Sequence, residues 1–171
     1  MYYDVTVSHF AKMLQNLSAI LDKGAQFAAE KKFDMEVLLQ SRLAPDQFPL
    51  TKQIQIACDT AKLCASRVTG KEAPTHADTE KTLTEVKARI DSVIGYLGSF
   101  NSKDFVGLEN RHISQPRWEG QYLLGDEFII QHAIPNFYFH VTTAYAILRH
   151  NGVDIGKMDF IGPVDFKPME N

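Results

Sequence analysis

No apolar run in this chain approaches the roughly 18 residues needed to cross a bilayer, so a membrane-spanning class is set aside. Basic charge is not in excess either: 18 Lys and Arg stand against 21 Asp and Glu, for a formal charge of −3. Without a basic stripe, a nucleic-acid partner is disfavoured. The opening residues Met1-Tyr2-Tyr3-Asp4-Val5 lack the basic region and apolar stretch of a signal peptide, and a cytoplasmic location is expected. Cysteine is scarce. Cys58 and Cys64 on one helix would sit about 9 Å apart, beyond the roughly 7 Å that a disulfide spans, so free thiols are expected. Their spacing is not that of a zinc site. No nucleotide-binding glycine loop, Ser-His-Asp order or paired-carboxylate motif can be defended.

What the chain does have is helical periodicity. The 171 residues suffice for one domain, 1–171, with a proper core. A first helix is predicted over residues 4–30, with Asp4 as N-cap and Val7, Phe10, Leu14, Leu17 and Leu21 on one stripe. A short turn over 35–40 and a loop with Pro45 and Pro49 follow. The second long helix, Leu50–Thr69, carries Ile54, Ala57, Ala61, Cys64 and Val68, a small-residue stripe that lets a neighbour approach closely, and Gly70 is its C-cap candidate. Asp78 can cap a third helix that buries Leu83, Val86, Ile90, Val93 and Leu97. Its outward face would hold Glu85, Lys87, Arg89 and Asp91. Charged residues in general read as a solvated surface.

Residues 99–125 break the pattern and suggest a small hairpin or irregular excursion around Gln115-Pro116. Trp118, the only tryptophan, would anchor that segment over one end of the bundle or act as a ligand lid. Asp126 then caps a fourth helix running to about His150, kinked near 131–135 because Pro135 removes a backbone bond and clashes with the preceding turn. The tail is expected to pack along the bundle. Four long amphipathic helices without a sustained strand pattern argue for an all-α four-helix bundle.

The fourth helix carries the clearest chemical signal. Positions 129, 133, 136, 140, 144 and 147 share a face, apolar except at Asn136 and His140. Two inward polar groups one turn apart need a partner, or each costs about 1–3 kcal/mol. They either hydrogen-bond within the core or contribute to a metal site, since side chains at i and i+4 can hold one ion. His132 lies one turn further back, across the proline. Tyr138 and Tyr145, on one face, suit packing against the first helix or a second subunit.

The string Pro135-Asn-Phe-Tyr-Phe-His140, with Leu148-Arg149 and Gly152, resembles the last helix of the DinB-like (YfiT-like) metalloenzyme superfamily, in one bacterial branch of unknown function. Ala57-Cys-Asp-Thr-Ala-Lys62 and Arg42-x-x-Pro45 agree with it. The resemblance implies an up-down-down-up bundle that is often a homodimer. In active relatives three histidines bind a divalent metal, and some use it for thiol-dependent transfer or isomerisation. Here Asn136 replaces the first histidine of the helix-four pair, and the second helix offers Ala57-Cys58-Asp59 where relatives place another.

The leading expectation is therefore a bundle with a degenerate metal site, serving as a small-molecule-binding or interaction domain near Asn136, His140 and Cys58. The alternative is a metal-dependent enzyme of thiol-dependent transferase or hydrolase type. In it His140, Asn136 and Cys58 or Asp59 would hold zinc, nickel or iron, and the ion would activate a bound water or thiol.

Overall fold

The structure, a computed structural model, describes residues 1–169. Its long elements are α1 (His9–Lys31), α3 (Leu50–Thr69), α4 (Leu83–Leu97) and α6 (Ile134–His150), with the short helices α2 (Met35–Leu39), α5 (Gly125–Phe128) and α7 (Lys157–Ile161). Each of α1 and α3 packs against both α4 and α6, which closes a four-helix bundle around one core. The predicted stripes are the core: Phe10, Leu14, Leu17 and Leu21 of α1 are fully buried, as are Ile54, Ala57, Ala61, Cys64 and Val68 of α3. Gly70 ends α3 at φ +80°, a left-handed conformation that favours glycine.

Helix directions follow from cross-helix hydrogen bonds. His140 meets Gln53 and Asn136 meets Thr60, so α6 runs antiparallel to α3. Arg89 meets Gln55 and Asp59, while Tyr96 reaches Lys71, so α4 runs parallel to α3. Parallel neighbours need a connection that returns along the bundle. Residues 70–82 supply it, retracing a helix roughly 30 Å long at 1.5 Å per residue.

Three expected caps differ. Asp4 lies within a π-helical turn, Asp4–Ser8, that leads into α1 without a side-chain cap. Helix α4 starts at Leu83, capped by Thr82, which accepts from the Glu85 N–H while the Glu85 carboxylate accepts from the Thr82 N–H. Asp78 is instead in the returning loop at φ +56°, held by ion pairs. Asp126 is inside α5, where Glu127 rather than Asp126 accepts from the Leu124 N–H.

The excursion contains the expected hairpin, β1 (His112–Ile113) pairing antiparallel with β2 (Leu123–Leu124). Gly125 seats it: a Cβ there would come 2.2 Å from the Leu108 carbonyl oxygen, so no larger residue fits without moving backbone. The expected kink takes the form of a π-helical turn, Ile129–Ala133, just ahead of Pro135. Past α6, the tail crosses α1, with Lys23 paired to Asp159 at 2.6 Å and Asn16 donating to the Phe160 carbonyl. Residues 170 and 171 of the predicted tail lie outside the described residues. Among the described residues no helix is long and apolar enough to cross a membrane.

Candidate functional site

Asn136 and His140 both turn inward, toward α3. His140 is 8% exposed, and its Nδ1 lies 2.7 Å from Gln53 Oε1. Gln53 Nε2 donates to the Phe48 carbonyl, which fixes the amide so that Oε1 accepts from His140. Nδ1 therefore carries the proton. Burial holds the imidazole below its usual pKa, in the neutral form. Asn136 Nδ2 donates to Thr60 Oγ1 at 2.7 Å. Each polar group has the partner that its burial demands.

The other two expected ligands are elsewhere engaged. Cys58 is fully buried, and burial pushes its thiol up to about 12, far from the thiolate that a metal or an electrophile would need. Cys64 is likewise buried and pushed up to about 12. Asp59 Oδ1 accepts from Arg89 Nη2 at 2.7 Å and from Lys62 at 2.9 Å. Among the described residues no group of three or more His, Cys, Asp and Glu is placed to hold a metal ion. The donor set does not fit a divalent metal: an amide donating to a hydroxyl, a neutral thiol, a carboxylate already shared by two cations, and one histidine with one nitrogen engaged.

Arg89 corrects the sequence reading, which placed it on the outward face of its helix. Its side chain is 1% exposed. Nη1 reaches Asp78 at 2.6 Å and Glu80 at 2.9 Å, and Nη2 reaches Asp59. Lys52 pairs with Asp78 at 2.7 Å, and Gln55 donates to Glu80. Lys62, also buried, donates to the Pro74 carbonyl and to His76 Nδ1 at 2.8 Å. Three cations meet three carboxylates here, in a network closed by the returning loop. Burial raises Asp78 and Glu80, but hydrogen bonds from Arg89, with Lys52 on Asp78 and Gln55 on Glu80, outweigh it and hold both carboxyls below their usual range.

A second cluster lies on an adjoining face of α3, in a cleft of about 150 Å³ where α3, the π-turn before α6 and the excursion meet. Arg67, Gln115, Arg117, Phe128, His132 and Asn136 line it, together with Asp59, which belongs to both clusters. Arg67 lies over the Phe128 ring, 5.9 Å from its centroid. His132 stacks on the same ring at 5.4 Å, and Trp118 meets both rings edge-on. Arg117 Nη2 is 2.8 Å from His132 Nε2. A guanidinium only donates, so Nε2 accepts and Nδ1 bears the hydrogen. That Nδ1 is buried without a partner, as is Gln115 Nε2. Burial, then Arg117, then Arg67 hold His132 below its usual pKa. Burial followed by Arg117 lowers Arg67. Among the described residues neither Arg67 nor Arg117 has a carboxylate within ion-pair distance.

The sequence reading placed a pocket near Asn136, His140 and Cys58; of its candidates Asn136 and Asp59 line this cleft, whereas His140 and Cys58 do not, and it missed Arg67, Gln115 and Arg117. No local motif marks those three. Arg67 reads as an ordinary last-turn helix cation, and Arg117 comes from a segment whose path is set by tertiary packing.

The chain matches the family described as "Domain of unknown function (DUF1993)" over residues 2–161. It is similar to a DinB family member protein from Shewanella denitrificans, known from a crystal structure at 1.83 Å resolution. The two are 57% identical over 98% of this chain and 95% of that one, with a TM-score of 0.95. No curated protein matches the chain.

Proposed function

The chain belongs to the DUF1993 family of DinB-like helical bundles, and from that premise we propose that it binds a small molecule in the cleft between α3, the π-turn and the excursion, without a catalytic metal. One observation carries the reading: the cleft is lined by cationic and donor groups that the protein itself leaves unmatched, beside an aromatic wall. The packed network around Arg89 differs in this respect, because there each buried cation meets a carboxylate, although Arg89 Nε also has no hydrogen-bond partner. Asn136, at the expected first ligand position, lines the cleft as a hydrogen-bonding amide. His140, at the second, braces α6 against Gln53.

Two measurements test this. Protein purified without a His-tag should contain no near-stoichiometric zinc, nickel or iron, and its melting temperature should not move when divalent ions are added. Stoichiometric metal would overturn the metal-free part of the reading. Trp118 packs on the cleft's aromatic wall, so its fluorescence reports occupancy. A panel of small polar metabolites of each charge class should include some that change it saturably. A panel without effect would overturn the binding reading.

A further inference from the structure

The unmatched groups of the cleft also specify what would match them. Resting on the binding reading above, we propose that the cleft recognises the oxoanion headgroup of a small organic acid, a carboxylate or a phosphate ester, held between Arg67 and Arg117. Four observations converge on negative charge. Two guanidinium groups face one cavity, close enough that Arg117 weakens the hold of Arg67 on its proton. Neither has a carboxylate partner among the described residues, whereas Arg89, reaching across from α4 to the adjoining face of α3, has three. The two unpartnered buried atoms of the lining, Gln115 Nε2 and His132 Nδ1, are both donors. The one carboxylate of the lining, Asp59, is paired through Oδ1 to Arg89 and Lys62 and makes no ion pair with Arg67 or Arg117.

Like charges held together are destabilising unless a counter-charge arrives. A guanidinium is also the side chain best shaped for planar, two-pronged recognition of carboxylate or phosphate. A cavity of about 150 Å³ takes a headgroup and the first atoms of its body rather than a large ligand. Phe128, with Trp118 at its edge, offers an apolar wall for that body. Arg117 is exposed, and its guanidinium rests on His132. It can swing onto an incoming anion at the loss of a single hydrogen bond.

The test is titration of the full chain, by calorimetry and Trp118 fluorescence, with acetate, benzoate, inorganic phosphate and phenyl phosphate. Benzyl alcohol and benzylamine serve as the neutral and cationic counterparts. The expected result is saturable binding of at least one anion with a dissociation constant of about 1 mM or tighter, weakened by salt. Arg67→Gln and Arg117→Gln should each weaken it roughly tenfold or more, as loss of a charge-assisted hydrogen bond does. Exposed Arg149→Gln should leave it unchanged. If Arg67→Gln does not fold, Arg117→Gln alone decides, since its side chain is on the surface. Tighter binding of the carboxylates or of the phosphates identifies the headgroup, and either supports the proposal. Binding of the alcohol or amine as strongly as the anions, or anion binding unaffected by Arg117→Gln, would overturn it while leaving the small-molecule reading in place. If no anion binds and no other probe or metabolite alters Trp118, both readings fall.

Discussion

Helix α3 carries two clusters of charge that teach opposite lessons. On the side toward α4, Arg89 is almost fully buried, yet each of its terminal nitrogens has a carboxylate. On the side toward the excursion, Arg67 is only half-buried, with an aromatic ring beneath it and no counter-charge among the described residues. The deeper site is closed and its charges are matched, although Arg89 Nε has no hydrogen-bond partner. The shallower one is open and unmatched. Burial alone therefore does not mark function. A buried charge matched by counter-charges is part of the fold, and a cluster whose charges lack counter-charges is where a ligand would be stabilised.

Substitution at Arg89 is expected to have the largest effect. Arg89→Met leaves Glu80 without a cation and Asp59 and Asp78 with one lysine each around an apolar side chain, and a loss of about 3 kcal/mol is expected by chemical denaturation, as when one partner of a buried ion pair is removed. Arg67→Gln and Arg117→Gln should change stability by no more than about 0.5–1 kcal/mol, because no ion pair is lost and a repulsion is relieved. If Arg89→Met were as mild as Arg67→Gln, the contrast between structural and functional clusters would collapse.

Acid sharpens the same contrast. Asp78 and Glu80 have folded pKa values below their ordinary 3.8 and 4.5. Their contribution is complete above those ordinary values and is lost as pH falls through the lower folded ones. The stability gap between wild type and Arg89→Met should therefore narrow below about pH 4. The histidines act at milder pH and with smaller effect. Burial first, with nearby cations at His76 and His132, holds His76, His132 and His140 below 6.5 in the fold. Their stabilising share is full above 6.5 and declines as pH falls below it, because the unfolded chain then binds protons that the fold does not. His140→Asn keeps a donor for Gln53 without titrating, so its melting temperature should fall less steeply between pH 6.5 and 5.

Much of the fold was legible because periodicity reports burial directly. The stripes of α1 and α3, the Gly70 cap and the disturbance ahead of Pro135 all followed from local rules. The inward aim of Asn136 and His140 was legible for the same reason. Arg89 was not. Its neighbours Glu85, Lys87 and Asp91 make an ordinary solvated pattern, and only the parallel arrangement of α3 and α4 brings a returning loop across it. The Thr82 cap could have been read from Thr-x-x-Glu, a stronger signal than the single Asp78. Arg67, Gln115 and Arg117 come together from segments distant in sequence, and no spacing rule predicts that meeting. The homodimer expected from the resemblance stays a proposal, and Phe139, 56% exposed on the outer face of α6 beside Leu43 and Thr142, is a surface on which to look for it. A monomer mass by light scattering at micromolar concentration would end that proposal.

The central claim is that α3 divides matched from unmatched charge and that the unmatched side receives an anion. A crystal structure grown with phenyl phosphate tests it most directly. The account predicts a phosphoryl group bridging the guanidinium groups of Arg67 and Arg117, with the Arg89 network unchanged. An empty Arg67–Arg117 cleft, with the anion bound on another surface or nowhere, would contradict it.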